Sequence, residues 1–461
     1  MLQQTISPVD GRVYVESELA SSARIDQALD RARHAQLGWR ATTIEERASL
    51  LRKFCDAFES MRGEVAEELT WQMGRPLRYT PNEVNGTLER ARYMIDIASD
   101  ALADIDPGPK AQFRRFIRRE PLGVIFTVAA WNYPYLIAVN SVVPALMAGN
   151  AVILKHSAQT PLCAERFAQA FERAGLPPHL FQVLHLTHED TERVIRDPRV
   201  DFVAFTGSVA GGHAVQKAAA ERFVGTGMEL GGCDPVYVRS DANLEHAIEN
   251  IVDGAYFNSG QSCCGLQRIY VHESLYAPFV EGFVALTRKY QLGNPLDPET
   301  TLGPVVRTAA ARAIRDQVAR CVAAGATNAI EEREFPQSRV DTPYLAPQVL
   351  LNVTHSMSVM REELFGPVAG IMSVRSDEQA IQLMNDSHFG LTAAIWTSDE
   401  DAAMSIGDRI ETGTWFMNRC DYLDPALAWV GIKDSGRGCT LSRVGYEHLT
   451  RPKSYHLRIS L

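Results

Sequence analysis

The chain has 461 residues, which is long enough for two or three domains of roughly 100–200 residues each. Hydrophobic residues make up 46% of the sequence and charged residues 22%, as in ordinary globular proteins. The formal net charge of −10 disfavours a nucleic-acid-binding protein, because such proteins usually carry a basic excess. No stretch approaches the roughly 18 apolar residues that span a bilayer, and the first residues lack the pattern of a secretory signal.

The eight cysteines are scattered, with no CxxC pair and no histidine–cysteine cluster at zinc-ligand spacing. We therefore expect no metal site. We also expect a reducing, cytoplasmic location in which most of these thiols are small buried hydrophobic groups. The adjacent pair Cys263–Cys264 is the exception, because it lies within a longer motif.

The first hundred residues predict helices, because apolar residues recur at spacings of three and four from Ile25 and again from Ile44 to Phe58. Thr43 and Glu46 form a capping-box pattern at the start of the second run. After a break at 107–109, short apolar runs alternate with helical stretches such as 161–174 and 213–223. Buried strands are expected at 124–128, 151–154, 202–205, 235–238 and 268–271. This alternation predicts parallel sheets in two doubly wound α/β domains.

Five short motifs follow one another along the chain: Trp131–Pro134 (WNYP), Phe205–Ser208 (FTGS), Glu229–Gly232 (ELGG), Asn258–Cys263 (NSGQSC) and Glu363–Val368 (ELFGPV). Each is weak alone, but the ordered set closely resembles the NAD(P)-dependent aldehyde dehydrogenase superfamily. The resemblance extends from about residue 5 to the C terminus. It implies two doubly wound, Rossmann-like α/β domains with a small β oligomerisation element.

Three residues are candidates for catalysis. A thiolate is the best side-chain nucleophile for an aldehyde carbon at neutral pH, and a reactive thiol is usually partly exposed with a lowered pKa. The resemblance makes Cys263 this nucleophile, whereas the register of Cys264 disfavours it. It also places Asn132 in an oxyanion hole, where an amide donates hydrogen bonds without carrying charge. Glu229 is then the general base that activates water against the thioester, with a pKa that apolar neighbours raise.

The resemblance also implies a nicotinamide cofactor. Gly207 and Ser208 follow an expected strand and open a helix, where free N–H groups attract a pyrophosphate. Lys155 is expected to bond the adenosine ribose, Glu363 the nicotinamide ribose, and Phe365 to pack beside it. Ser157 and Trp131 complete the expected cofactor residues.

The sequence departs from the family pattern in three places. NAD-preferring members often carry a glutamate three positions after the matching lysine, where this chain has Ala158. A methyl group does not repel a 2′-phosphate, and Lys155, His156 and Ser157 are candidates to contact one, so we expect NADP to be tolerated and even preferred. Cys233 replaces a usual lysine, and residues 187–189 replace a usual glycine-rich turn.

The sequence carries few signals that identify the residues of the substrate pocket. By register its wall is expected to include Tyr133, Tyr135, Asn140, Phe257, Ser262, Cys264, Asp421, Leu423 and Trp429. Aromatic walls favour apolar or flat aldehydes. A semialdehyde that ends in a carboxylate requires an arginine, for which Arg419 is the nearby candidate.

The expected division is a cofactor domain at 1–102 and 122–231, a catalytic domain at 232–434, and an oligomerisation element at 103–121 and 440–461. The element combines a hairpin with a C-terminal strand at 453–461 whose alternation suits pairing with another subunit's edge. A homodimer or homotetramer is expected, with no nucleic-acid or membrane partner. Two alternatives stay open: a coenzyme-A-acylating semialdehyde dehydrogenase, which typically lacks the base matching Glu229, and an inactive member acting as a binding protein.

Overall fold

The structure is a computed structural model that describes residues 2–420 and 422–460. Its strands are β1 (Leu2–Ile6), β2 (Val13–Glu18), β3 (Phe113–Pro121), β4 (Val124–Val128), β5 (Ala151–Lys155), β6 (Phe181–Val183), β7 (Phe202–Thr206), β8 (Gly225–Glu229), β9 (Asp234–Val238), β10 (Leu266–His272), β11 (Thr327–Asn328), β12 (Gln348–Leu351), β13 (Val368–Val374), β14 (Phe389–Gly390), β15 (Thr392–Trp396), β16 (Thr414–Met417), β17 (Ile432–Lys433), β18 (Gly436–Arg437) and β19 (Thr450–Arg458). Its α-helices are α1 (Ser22–Trp39), α2 (Ile44–Ser60), α3 (Arg62–Met73), α4 (Pro81–Ala101), α5 (Pro134–Met147), α6 (Pro161–Arg173), α7 (His188–Arg196), α8 (Val209–Ala219), α9 (Leu244–Tyr256), α10 (Glu273–Thr287), α11 (Thr308–Ala323), α12 (Asp377–Asn385), α13 (Glu400–Gly407) and α14 (Ser442–Gly445).

The N-terminal helices form where the periodicity predicts them. Helix α2 begins at a capping box in which Thr43 accepts from the Glu46 N–H and the Glu46 carboxylate accepts from the Thr43 N–H. Its apolar stripe, including Leu51 and Phe58, is fully buried. Helices α1 to α6 cover the first large sheet and share one hydrophobic core with it.

The first large sheet has the strand order β18-β8-β7-β4-β5-β6. All neighbours are parallel except β18, which runs antiparallel to β8. Strand β4 is buried along its whole length, which explains its uninterrupted apolar sequence. The carboxyl ends of these strands meet at one edge of the sheet, where Val128 is opposite both Lys155 and Phe205.

The second large sheet has the order β11-β12-β13-β10-β9-β15-β16. It is parallel apart from the antiparallel β11–β12 pair. Separate hydrophobic clusters pack on its two faces. Two helix-covered parallel sheets confirm the predicted fold class, and the five expected strands are all present.

A long two-stranded ribbon lies apart from both sheets. Strand β3 pairs antiparallel with β19 over nine residue pairs, from Phe113 opposite Arg458 to Pro121 opposite Thr450. The expected hairpin at 103–121 is present only as bridges such as Ile105–Ile117, because the partner of β3 is the C-terminal strand of the same chain. Within 2–420 and 422–460, no helix is long and apolar enough to cross a membrane.

Candidate active site

A cavity of about 360 Å³ lies where the first sheet meets the loop after helix α9. Its volume is in the usual range for small-molecule sites. Most of its exposed wall is apolar, but eight of the eighteen lining residues carry polar or charged side chains. The residues that line it are Asn82, Asn85, Gly86, Glu89, Arg90, Tyr133, Leu136, Ile137, Asn140, Thr206, Glu229, Phe257, Ser262, Cys263, Cys264, Tyr422, Leu423 and Trp429.

Cys263 is a partly exposed free thiol in the wall of this cavity. Its loop begins at Asn258 and Ser259, both of which have left-handed backbone conformations, with φ values of 54° and 57°. A hydrogen bond with the Cys264 side chain and burial raise the pKa of the Cys263 thiol well above its usual value. The expectation of a lowered pKa is therefore wrong for the structure as it stands, since the neighbouring thiol and carboxylates all favour the protonated form.

Asn132 does not line the cavity itself but contacts the nucleophile's loop. It is 4% exposed, and its Nδ2 donates to the backbone carbonyl of Gln261 at 3.2 Å. The backbone carbonyl of Asn132 accepts from Arg75 and, at 3.1 Å, from Asn258 Nδ2. The Asn132 loop and the Cys263 loop are thus tied together by side-chain to backbone hydrogen bonds.

Arg75 and Glu83 form the buried ion pair that supports this arrangement. Their side chains are 2% and 0% exposed. Glu83 Oε1 also accepts from the N–H groups of Tyr135 and Leu136 at 3.0 and 3.3 Å, where helix α5 begins. The carboxylate therefore satisfies two N–H groups that the helix leaves free, and the helix dipole favours its charge there.

Glu229 ends strand β8 beside Thr206 of strand β7. Its two carboxylate oxygens accept from the hydroxyls of Thr440, at 2.5 Å, and Thr206, at 3.4 Å. Burial raises the pKa of Glu229, while these hydrogen bonds and the charge of Arg90 oppose the shift. The structure thus places a carboxylate with a raised pKa in the same cavity as Cys263.

At three glycines, neighbouring segments of the site approach so closely that any side chain larger than hydrogen would clash. A Cβ on Gly231 would lie 2.1 Å from Glu363 Oε2, and one on Gly232 would lie 2.2 Å from the Cys263 carbonyl oxygen. Gly260 has φ of +69°, and a Cβ there would lie 2.2 Å from the Gly366 carbonyl oxygen. The backbone at 232 therefore packs directly against that at 263, the backbone at 260 against that at 366, and the Glu363 carboxylate against the backbone at 231.

The expected cofactor residues of the first sheet lie along its carboxyl edge. Lys155 ends β5, and burial lowers its pKa. Its ammonium has no hydrogen-bond or ion-pair partner within the described chain. Ser208 caps helix α8 by accepting from the Gly211 N–H at 3.2 Å, but the Gly207 N–H is taken by the Glu229 carbonyl at 3.1 Å. Ser157 is half-buried beside Lys155.

His156 does not face this edge. It is 2% exposed, its Nδ1 accepts from the Ser157 N–H at 2.9 Å, and its Nε2 contacts the Pro134 carbonyl at 3.2 Å. Burial lowers the pKa of His156 to about 3, so the ring is neutral. The suggestion that His156 contacts a phosphate is therefore wrong, because both ring nitrogens are engaged inside the protein.

Glu363 lies across the glycine pair that follows Glu229. Its Oε1 accepts from the Gly232 N–H at 3.1 Å, and burial raises the pKa of this carboxyl group to about 7. Phe365 has a φ of +55° and packs edge-on against Trp131, with ring centroids 5.6 Å apart. Trp131, Glu363 and Phe365 therefore bring the two sheets' loops together beside the site.

Of the expected pocket residues, Tyr133, Asn140, Phe257, Ser262, Cys264, Leu423 and Trp429 line the cavity. Asp421 lies outside the described residues. The position predicted for Tyr135 is wrong, because its ring is fully buried against Phe58 and Phe167 in the core. Arg419 does not line the cavity either, since its guanidinium stacks over the Tyr422 ring at 4.1 Å.

Sequence reasoning missed Arg75, Glu83 and Arg90. All three lie at or just before helix α4, far from the motifs in sequence, and all are buried. A buried arginine is rare, but a single sequence does not reveal burial. The one available signal is that Glu83 and Arg90 are seven residues apart and share a helix face with the buried Val84, Thr87, Leu88 and Ala91.

A cavity lined by a cysteine and a glutamate between two helix-covered sheets is the arrangement of an aldehyde-oxidising enzyme. The chain belongs to the aldehyde dehydrogenase family, whose family model matches residues 2–455. It is 35% identical over 455 residues to succinate-semialdehyde dehydrogenase (NADP(+)) of Mycobacterium avium (strain 104), covering 98% of this chain and 95% of that protein. It is 34% identical to the succinate semialdehyde dehydrogenase (NAD(P)+) Sad of Escherichia coli (strain K12), covering 96% and 95%. The solved structure of Gox0499 covers 99% of this chain and all of its own, with a TM-score of 0.95 and 32% identity.

Proposed function

We propose that this chain oxidises a small or medium aldehyde, semialdehydes included, to its carboxylic acid with NAD or NADP. The observation that carries the proposal is one cavity lined by both a partly exposed thiol, Cys263, and a carboxylate with a raised pKa, Glu229. The loop of Asn132 is bonded to the nucleophile's loop. Nucleophile, base and amide donor are the groups that acyl transfer through a thioester requires.

In the first step the Cys263 sulfur bonds to the aldehyde carbon, and the carbonyl oxygen takes on negative charge. The raised pKa favours the thiol form of Cys263, so the thiol loses its proton to solvent water in the cavity as the sulfur attacks, and Glu229 stays free to act as the base of the second step. The second N–H of the Asn132 amide, which the Gln261 carbonyl does not take, is the donor assigned to the developing oxyanion, because it donates without moving any charge of its own. A bound nicotinamide cofactor would supply the hydride acceptor, and loss of hydride from this intermediate would leave a thioester on Cys263.

In the second step Glu229 removes a proton from water, the hydroxyl oxygen bonds to the thioester carbon, and the carbon–sulfur bond breaks. The acid leaves, and the proton returns to the Cys263 sulfur. A further cavity of about 40 Å³ lies beside Glu229 and Thr440, which is enough room for a water molecule. Because this base is present, hydrolysis is favoured over transfer of the acyl group to coenzyme A.

The residues present fit a dinucleotide. Lys155 offers a partly buried ammonium that pairs with no described residue, and helix α8 presents the N–H groups of Val209 and Ala210, which bond to no described residue. Glu363 offers a carboxylate to ribose hydroxyls, and Trp131 and Phe365 offer an aromatic surface. Ala158 is exposed three positions after Lys155 and puts no carboxylate there, which supports use of NADP. The two relatives carry NADP(+) and NAD(P)+ in their names. The proposal that NADP is used would be contradicted if kcat/KM for NAD exceeded kcat/KM for NADP by more than about a hundredfold, which corresponds to about 2.7 kcal/mol.

We further propose the division of labour expected from the sequence: cofactor binding by 1–102 and 122–231, catalysis by 232–434, and homo-oligomer contacts by 103–121 and 440–461. The ribbon of β3 and β19 supports the last, because two strands alone are marginally stable and no other described strand pairs with β19. Eight free cysteines support a reducing cytoplasmic setting.

The test is cofactor reduction at 340 nm with a panel of aliphatic, aromatic, amino- and carboxy-aldehydes, with and without coenzyme A. Cys263→Ala is expected to abolish turnover while cofactor binding, followed by fluorescence, persists. Cys321→Ala is the matched control, because this buried thiol lies against Ser358, away from the cavity. Turnover by Cys263→Ala, or a requirement for coenzyme A, would overturn the proposal.

A further inference from the structure

Arg90 is a charged group in the cavity that the proposed chemistry does not use. It belongs to helix α4, is 8% exposed and lines the cavity that contains Cys263. Its Nη1 donates to the Leu136 carbonyl at 3.0 Å and to Asn140 Oδ1 at 3.2 Å. These two bonds fix the direction of the guanidinium group.

The described residues leave the remaining donors of Arg90 without a hydrogen-bond partner. Nε and Nη2 have no hydrogen-bond partner in the part of the chain that the structure describes, and no described carboxylate lies within 4.0 Å of the guanidinium. Burial lowers the pKa of Arg90, and more distant carboxylates such as Glu229 and Glu83 oppose the shift. A buried cation without an ion-pair partner is costly, so its retention indicates that a ligand supplies the missing anion.

Asn140 adds a second donor at the same place. It is 3% exposed and also lines the cavity. Since its Oδ1 accepts from Arg90, its Nδ2 is turned away from the guanidinium, and this nitrogen has no partner within residues 2–420 and 422–460. A planar guanidinium beside an amide N–H is a donor set that matches the two oxygens of a carboxylate.

We propose that Arg90, with Asn140, is a specificity-determining site that binds a carboxylate carried at the far end of the aldehyde, so that the preferred substrates are semialdehydes of carboxylic acids. The proposal rests on the proposed aldehyde oxidation and deepens it. Arg90 and Asn140 bind the carboxylate end of the substrate, while Tyr133, Phe257 and Trp429 enclose its carbon chain. It assigns to Arg90 the role that the sequence suggested for Arg419.

A different role for Arg90 is to neutralise Glu229, whose charge acts on it. The two roles predict different kinetics. An anchor for the substrate carboxylate affects only aldehydes that carry one, chiefly through KM. A counter-charge for the base affects every aldehyde equally, through kcat and its pH profile.

The experiment compares succinic semialdehyde with butanal, which has the same number of carbons and no carboxylate. We expect wild type to prefer the semialdehyde. Arg90→Gln should lower kcat/KM for the semialdehyde roughly 10- to 150-fold, the worth of a charged hydrogen bond, and change that for butanal less than about threefold. Arg90→Lys should recover part of the loss. Arg92→Met is the matched control, because it removes an exposed arginine of the same helix that pairs with Glu59.

A binding measurement separates this proposal from aldehyde oxidation itself. Succinate should raise the thermal midpoint of wild type but not of Arg90→Gln, whereas neutral butyramide should act on neither. If no aldehyde is oxidised yet succinate binding depends on Arg90, the proposed function fails and the carboxylate site stands. Equal losses on both aldehydes, or an unchanged preference in a folded Arg90→Gln, would overturn the site.

Discussion

The buried pair Arg75–Glu83 allows a quantitative test of how the active-site loops are held. In Arg75→Met the guanidinium is lost, and with it the hydrogen bonds to Glu83, to the Asn132 carbonyl and to Asn258 Oδ1. Glu83 then remains fully buried, with only the two N–H groups of helix α5 to balance its charge. Breaking a buried pair in this way typically costs about 3–5 kcal/mol.

The expected effect on stability is large and measurable. For a unit of 150–250 residues each kcal/mol shifts the thermal midpoint by about 2–4 °C, so a loss near 4 kcal/mol gives roughly 8–16 °C. Scanning calorimetry of wild type and variant at one pH measures the shift. Arg78→Met is the control, because this nearby exposed arginine donates only to the Pro298 carbonyl, and its loss should cost less than about 1 kcal/mol.

The same variant should also lose activity, because Asn132 loses one of the two bonds that hold its carbonyl. Removing an oxyanion donor altogether lowers kcat about 10²–10³-fold. Arg75→Met only weakens the positioning of Asn132, so its kcat should fall by less than this. Adding Glu83→Gln to Arg75→Met should restore stability, since the unpaired charge is then removed. A midpoint within 2 °C of wild type, or a double variant less stable than the single one, would refute this reasoning.

Three further outcomes are expected. Glu229→Gln should retain a burst of about one reduced cofactor per site while steady-state kcat falls roughly 10²–10⁴-fold, and loss of the burst as well would contradict its role as base. Glu363 has its pKa raised from 4.5 to about 7, so the folded protein keeps a proton that the unfolded chain releases, and wild type should lose stability relative to Glu363→Gln as pH rises from about 4.5 to 7. Thermal midpoints of the two proteins that run parallel across this range would contradict that. Ala158→Glu should lower kcat/KM for NADP at least about tenfold and spare NAD, because a carboxylate repels the 2′-phosphate; an unchanged cofactor ratio would count against a phosphate site there.

The fold could be predicted largely from local pattern. Apolar runs such as 124–128 are buried on both faces, and the capping box at Thr43 is a local signal that specifies its own hydrogen bonds. The motifs around Cys263 and Glu229 also lie within short stretches of chain. The structure brings them to one cavity because each follows a strand or helix whose end reaches the same edge.

The rest of the site depends on tertiary packing that spacing does not encode. Tyr135 belongs to a motif region, yet the turn of helix α5 directs it into the core against Phe58. His156 likewise follows Lys155 directly but faces inward, because successive residues of an extended chain point to opposite sides. Arg90 reaches the cavity from a helix more than 170 positions before Cys263 in the chain, so only the packing of α4 on α5 reveals it.

The contacts at Gly231, Gly232 and Gly260 join the loop that carries Cys263 closely to the 363–367 segment that carries Glu363. Because no side chain separates the backbones at 260 and 366, we expect a shift of the 363–367 segment to move the loop that carries the sulfur. Evolution or engineering can therefore change the far end of the cavity, where side chains alone form the wall, much more freely than the reacting end. New substrate preferences should arise around helix α4 and the 422–429 segment, while the backbone contacts around Cys263 stay unchanged.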